Sequence, residues 1–512
     1  MSTRSAGLEP REARPAASAA PRLAVLEELL RRLDAEQIRY AHWKSNEHLG
    51  ATMTGATDVD VLIDRCAAQR LAHVLTETPQ FKRFVVRAGR GYPGIEDYVG
   101  FDAPTGMLTH LHLHYQLTLG EKFLKGHRLP WEEAVLATRV RDPEHGVWVT
   151  DPHLELLILV ARHVMKLRWR DSLLAAAGHE YFRGGMLREL RWLIARVRPD
   201  RLLEVATPLV GAPAAALLAT MVGDPRGRAP TIGQLRAFRR LANPRLSSYR
   251  MYSAWGATRR MWTREWTWIW WRVKNWLFRA PTKSTRTPPQ GGIAVAFVGP
   301  DGSGKSTLTT EVARWLSREI AVITTYGGSG KGSASTRRRL LQQVGEMTRP
   351  QRTAALLPPP TGIRLLGKLL WVLSLVRERR RWAFHVRSAR SLGLVVLSDR
   401  LPQTQFAGLN DGPRYAEWLH DSSWLRRFVA RREHASFREA ELVPPDVVVR
   451  LNVPVEVAAR RKPDTPPDQL RRKVEIVSRL KFPAVTRVIE IDGAQPLERV
   501  LRDVKEALWA CL

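Results

Sequence analysis

Apolar residues recur at helical spacing across Arg22–Leu33 ("RLAVLEELLRRL"), which predicts a helix. The pattern then changes period. Asp58–Asp64 ("DVDVLID") begins by alternating polar and apolar positions, as a strand with one wet face does. "FKRFVVRA", "EDYVGFDA" and the strictly alternating "LTHLHLHYQL" predict further strands, so residues 21–150 read as a small α/β unit. At Asp151 the helical period returns. "DPHLELLILVARHVMKLRW" opens with an Asp-Pro start signal, and "GMLRELRWLIARV" and "APAAALLATMV" carry the period on, which predicts a helical subdomain over 151–245. Residues 246–287 combine a tryptophan-rich basic stretch with the linker-like "APTKSTRTPPQGG". Beyond it "GGIAVAFVG" is continuously apolar, as a strand buried on both faces would be. "AVITTY", "LGLVVLSD", "PDVVVRLNV" and "RVIEID" follow, separated by helical stretches. This β/α alternation predicts a doubly wound parallel sheet over 288–512. The fold class expected is therefore multidomain α/β.

Length and composition narrow this picture. At roughly 150 residues per domain, 512 residues predict two to four domains. A hydrophobic share of 44% and a charged share of 26% exclude a wholly disordered or collagen-like chain. Cys66 and Cys511 are the only cysteines, too few for a disulfide scaffold or an all-cysteine zinc site, and in keeping with a reducing cytoplasm. Residues 1–20 lack the apolar core of a secretory signal and read as a disordered tail. The longest candidate span, Leu365–Val376, is short and carries Lys368, so no crossing helix is expected. Charge is the unusual quantity. With 81 Lys+Arg against 50 Asp+Glu the formal net charge is +31, which predicts affinity for polyanions or for an anionic membrane face.

"GPDGSGKS", Gly299–Ser306, meets every fixed position of G-x-x-x-x-G-K-[ST] and stands between an apolar strand and a helical stretch. Gly299, Gly302 and Gly304 allow the tight turn that points backbone N–H groups inwards around Ser303, and the helix N-terminus opening at Lys305, Ser306 and Thr307 completes an anion hole. Lys305 can reach β/γ-phosphates and Ser306 can ligate Mg²⁺. Downstream, "VVLSDR" ends a second apolar strand in Asp399-Arg400. A carboxylate there can hold Mg²⁺, and the arginine can grip an acceptor phosphate bidentately.

With "FVGPDGSGKST", the "DR" strand end, "PDVVVRLNVPVEVAARRK" and the closing "VIEIDGAQPLERV" in this order over about 220 residues, the C-terminal domain resembles the thymidylate kinase family of P-loop nucleoside monophosphate kinases. The resemblance implies ATP and Mg²⁺ as cofactors, a small phosphorylated acceptor, and a lid whose Arg460 and Arg461 approach the transferring group. Arg471, Arg472 and Lys473 would extend that basic stretch. It implies Asp301 near the acceptor and, since relatives are often dimers, a homodimer. The chain departs from the pattern at Leu401, where those enzymes carry an aromatic or His, and at "YGGSGKG" (Tyr326–Gly332), a second phosphate-contacting loop or a plain turn. "LNDGPR" (Leu409–Arg414) resembles divergent members in surface-polysaccharide settings. Catalysis would be alignment and charge neutralisation; for a hydroxyl acceptor, Asp301 or Asp399 would be the base.

In the N-terminal unit, Asp58 and Asp60 stand two apart on a strand and so face one side. Paired carboxylates suit a divalent metal carrying a triphosphate, and Lys44 and Ser45 of "HWKS" are candidate phosphate contacts. "HWKSNEHL", "GATDVDVLI", "HLHLHYQL" and "LLILVARHVMKLRW", over about 150 residues, resemble a group of bacterial nucleotidyltransferase-like proteins. The group usually carries an Asp where His112 stands here, which leaves two readings: an active transferase, or a ligand-binding or degenerate domain on which Asp58 and Asp60 are edge-strand polar residues. His110, His112 and His114 share a face that suits a transition metal or a stacked polar strand, and His163 and Lys166 follow on the next helix.

The main expectation is an ATP-dependent kinase coupled to a nucleotidyltransferase-like domain. One alternative makes the transferase the main enzyme, with the P-loop domain a nucleotide sensor. The other is a non-catalytic nucleic-acid or membrane-surface binder, although no nucleic-acid module stands out. The membrane reading rests on residues 255–279, where Trp255, Trp262, Trp266, Ile269, Val273 and Leu277 share a helical face beside Arg259, Arg260, Arg264, Arg272 and Lys274. The simpler expectation is that this Trp face packs on one of the two domains.

Overall fold

The computed structural model describes residues 21–87, 91–120, 124–167, 171, 180–224, 228–277, 286–328 and 361–512. The tail 1–20, Ser329–Gly332 of the second glycine-rich stretch, and the basic "STRRRLL" lie outside the described residues.

The first sheet is mixed. It uses β1 (Tyr40–His42), β2 (Val59–Ile63), β3 (Phe81–Val86), β4 (Ile95–Asp102) and β5 (Met107–His114), while β6 (Leu117–Leu119) and β7 (His127–Leu129) form a separate hairpin. β8 (Val140–Arg141), β9 (Trp148–Val149) and β10 (Arg286–Thr287) complete the order β10-β3-β4-β5-β2-β1-β9-β8. β10 comes from the stretch read above as linker. It pairs antiparallel with β3, so the connection is built into the sheet edge.

Helices Pro152–Lys166, Gly185–Ile194, Pro199–Val210, Ala212–Val222 and Ile232–Ser248 make the helical layer. Their starts follow local chemistry. The Asp151 side chain accepts from the His153 N–H just before Pro152, and Thr231 and Gln234 form a reciprocal capping box. The helices bury Leu156, Leu157, Leu193, Leu218 and Phe238 in one core that also takes Trp43 and Leu62 of the sheet unit.

The second sheet is parallel, with β11 (Ala294–Val298), β12 (Val322–Tyr326), β13 (Val395–Asp399), β14 (Val447–Asn452) and β15 (Arg487–Asp492) in the order β12-β13-β11-β14-β15. Every residue of β11 and β13 is buried, the burial a sheet covered by helices on both faces requires. The strands point their C-terminal ends to one edge, where the loops after β11 and β13 meet. Leu365–Val376 lies inside the long helix Thr361–Ser391, where Val372, Leu375 and Val376 are buried. Among the described residues no helix is long and apolar enough to cross a membrane.

Candidate functional site

The loop Gly299–Gly304 leaves β11 and enters the helix Lys305–Leu316. Its glycines are required by space and backbone. Gly302 has φ +83°, and a Cβ there would lie 2.7 Å from the Ala458 carbonyl oxygen; Gly304 has φ +88°. A Cβ on Gly299 would meet Ser303 Oγ at 2.6 Å. Lys305 Nζ donates to the carbonyls of Gly299 (2.8 Å) and Pro300 (2.7 Å), with the buried Ser303 Oγ 3.4 Å away. Burial, with Arg400 nearby, pushes the Lys305 ammonium down to about 8. Ser306 Oγ donates to Asp399 Oδ2 at 2.6 Å. Asp399 Oδ1 is buried and has no hydrogen-bond partner among the described residues. An orphaned carboxylate oxygen beside a serine hydroxyl at a phosphate loop is a donor set that fits Mg²⁺. Thr307 is exposed on the first turn.

Arg400 is held in a conformation that side chains other than glycine avoid, φ +76°. The chain around it fixes that turn. Arg400 N–H donates to the Phe297 carbonyl (3.2 Å), Ser398 Oγ donates to the Arg400 carbonyl (2.8 Å), and Trp382 Nε1 donates to Ser398 Oγ (3.1 Å). Gly327 approaches so closely that a Cβ would lie 2.7 Å from the Arg400 carbonyl oxygen. The "GG" of the second glycine-rich stretch is thus a close-packed support for Arg400. The guanidinium then donates to Asp301 Oδ1 at 3.1 Å and to both Asp411 oxygens at 3.3 Å. Lys473 Nζ donates to Asp301 Oδ2 at 2.6 Å. Burial would raise the Asp301 carboxyl, but Lys473 and Arg400 outweigh it and hold the group well below the usual carboxylate range. Asp301 is therefore the shared counter-ion of Arg400 and Lys473.

The lid-side residues divide. Arg461 donates to the carbonyls of Gly493 (2.7 Å) and Ala494 (3.4 Å), and Arg460 is exposed. Arg471 and Arg472 are exposed, so Lys473 is the member of that stretch brought to the centre. A cleft of about 420 Å³ opens beside Pro300, with Leu451, Val453, Val474, Val477 and Ile491 among its lining.

In the first sheet, β2 lies parallel to β5 with Asp60 opposite His112, and β4 lies antiparallel to β5 with Asp97 opposite the same residue. Asp58, Asp60, Asp97 and the three histidines therefore meet on one face. His110 sits between Asp58 (Nδ1–Oδ1 3.0 Å) and Asp97 (Nε2–Oδ1 2.8 Å). Asp60 Oδ1 is met by Lys44 Nζ (2.9 Å), His112 Nδ1 (3.0 Å) and His114 Nε2 (3.5 Å), while His112 Nδ1 and His114 Nε2 are 3.2 Å apart. Asp60, His112 and His114 each bring one donor atom close enough together to be the ligands of one small cation. A second such group is Asp58, His110 and Glu319, the last contributed by the P-loop unit. Burial would raise the Asp60 carboxyl, but Lys44 and the two histidines hold it well below the usual range. The acidic pair is thus already neutralised by the protein's own groups.

Ser45, with φ +60°, donates to Glu189 at 3.1 Å rather than facing Asp60. The turn that aims Lys44 is fixed from below by Glu155, which accepts from Asn46 N (3.0 Å) and Nδ2 (2.8 Å) and is pushed up to about 7 by burial. His163 is buried against Tyr181. Asp97, Asp411, Glu319 and Glu155 escaped the sequence reading. Asp97 had a signal, its place in the strand-like "EDYVGFDA", whereas Glu319 is brought in only by the packing of one unit on the other.

No family model matches the chain. Among curated proteins, the "Uncharacterized ATP-binding protein YghR" of Escherichia coli K12 is 29% identical over 236 residues, 44% of this chain and 92% of the relative. The "Uncharacterized ATP-binding protein YghS" of the same strain is 27% identical over 226 residues, 43% of this chain and 93% of the relative. Among solved structures, a thymidylate kinase from Candida albicans covers 43% of this chain and 91% of its own, at 14% identity and a TM-score of 0.27.

Proposed function

We propose that the C-terminal unit binds ATP with Mg²⁺ and transfers the γ-phosphoryl group to a small phosphorylated acceptor, a nucleoside monophosphate or a related compound. The observation that carries the reading is the convergence, at one sheet edge, of a glycine-built anion loop, the Ser306–Asp399 pair with its free oxygen, and the Arg400–Asp301–Lys473 cluster. Two curated relatives named as ATP-binding proteins support the nucleotide part.

The residues divide the work by charge. Lys305 exchanges its loop carbonyls for phosphate oxygens, and the loop N–H groups take the remaining anionic charge. Ser306 and Asp399 would hold Mg²⁺, which when bound neutralises the phosphates and keeps them in line. Arg400, presented by its strained turn and steered by Asp301 and Asp411, grips the acceptor phosphate. An acceptor oxygen is already anionic, so no base is needed; the bond from the γ-phosphorus to its bridging oxygen breaks as the new one forms, leaving ADP. The apolar cleft beside Pro300 offers a slot for a nucleobase.

A second reading has one observation in its favour: Asp58, Asp60 and Asp97 bring three carboxylates to one face of the first sheet, the number a nucleotidyl-transfer site uses. The two readings separate in one experiment. Wild-type protein, Lys305→Ala and the double variant Asp58→Asn with Asp60→Asn are each given MgATP and a panel of phosphorylated acceptors, with ADP and pyrophosphate release followed together. The kinase reading expects ADP, lost by at least about a hundredfold in Lys305→Ala and kept in the double variant. Pyrophosphate release that survives Lys305→Ala and disappears in the double variant would replace it with the second reading.

A further inference from the structure

The helix Ala254–Leu277 carries seven of the chain's 18 tryptophans, and the structure overturns the expectation that its Trp face packs on a domain. At 3.6 residues per turn, Trp255, Trp262, Trp266, Ile269, Trp270, Val273 and Trp276 fall within about 120° of arc. All seven face solvent: Trp255 is 80% exposed, Trp276 76% and Trp266 63%. The opposite side holds the helix to the body. Arg264 lies over the Tyr92 ring at 4.2 Å and donates to the Gly91 carbonyl, and Trp271 packs against the cluster containing Trp382 and Ala383. The helix is seated by its mixed face and turns its apolar face outwards, the reverse of an ordinary surface helix.

We propose that this outward stripe is a membrane-docking surface that lies in the headgroup layer of an anionic bilayer. Three observations choose that occupant. The apolar residues are mostly tryptophan, whose flat ring and polar N–H suit the boundary between water and acyl chain better than an interior. The charge on the helix is of one sign: Arg259 is exposed within the stripe's arc, Arg260 and Arg272 are exposed outside it, and Glu265 is the helix's sole acidic residue. The excess matches the chain's net +31 and complements anionic headgroups. Finally, the helix is too polar to cross a bilayer, so in-plane seating is the mode open to it. From Trp255 to Trp276 the stripe is about 30 Å long, enough to fix the orientation of the protein on a surface.

The test is sedimentation of the full-length protein with phosphatidylcholine vesicles and with mixed phosphatidylcholine–phosphatidylglycerol vesicles, at low and high salt. Wild type is expected on the anionic vesicles and to come off as salt rises. Trp262→Ser, Trp266→Ser and Trp270→Ser together should weaken vesicle affinity by roughly a hundredfold or more, since three large exposed aromatics lose their burial. Light scattering of the free protein and binding of an ATP analogue to the P-loop unit are measured alongside, and both should match wild type in the variant. The proposal fails if wild type binds neither vesicle, if the triple variant binds as wild type does, or if the substitutions instead dissolve a dimer, which would assign the stripe to a second copy of the chain.

Discussion

Lys305 shows what a single buried residue contributes. Without phosphate its ammonium is satisfied by loop carbonyls, and burial brings it down to about 8 from an ordinary lysine near 10.5. A polyphosphate reverses the balance by placing negative charge against the ammonium, which raises the affinity for its proton. At pH 8 to 9, then, nucleotide binding should take up a proton; near pH 6 the lysine is charged in both states and uptake vanishes. Calorimetry in buffers of different ionisation enthalpy reads this directly, and Lys305→Met should abolish the buffer dependence. The residues of this loop were legible from spacing because every member lies within eight positions. Asp301's partners were not. Lys473 lies 172 positions away and Arg400 99, and nothing in the local sequence separates Lys473 from the exposed Arg471 and Arg472 beside it.

At the scale of elements, the ends of the parallel strands decide where chemistry can sit. Strand identity was readable from unbroken apolar runs such as "AVAFV" and from alternation such as "LTHLHLHY", because apolar packing on two faces or on one leaves those periods in the sequence, although the polar face of the second strand is itself buried at Thr109, His110 and His114. The role of β10 was not, since two residues in a polar, proline-containing stretch carry no period. Nor was the outward turn of the Trp helix: periodicity finds a stripe but not the side it faces. The glycines after β12 are an element-level device, giving the strained Arg400 turn room. Gly327→Ala would drive a Cβ to within 2.7 Å of the Arg400 carbonyl and 3.0 Å of Pro402. Crowding of backbone typically costs about 1–3 kcal/mol. The expected outcome is weaker acceptor saturation with nucleotide affinity near wild type, read as a rise in KM for the acceptor alone.

At the scale of the whole molecule, the two sheet units share one core. Phe84, Val99, Phe101 and Leu108 of the first sheet bury in the same cluster as Trp315, Val504 and Trp509 of the second unit. Trp509 is the pivot: its ring lies 5.9 Å from Phe101, its Nε1 donates to the Gln80 carbonyl at 3.1 Å, and the Trp509 carbonyl accepts from Lys82 Nζ at 2.5 Å. Arg286 adds a polar tie from the edge strand to Asp97 on one side and Glu319 on the other. An interface that apolar behaves as interior, so the units should open together rather than move as beads on a linker. Hydrogen exchange followed by mass spectrometry makes this concrete. Trp509→Ala removes a 4%-exposed indole and should cost about 3–5 kcal/mol. If the core is shared, peptides from β4 and β5 lose protection with those from the helix Leu497–Cys511, by a similar factor. Loss confined to the C-terminal peptides would mean that the first sheet is stable without its neighbour, and that the polar face of Asp58, Asp60 and His110 answers to its own unit alone.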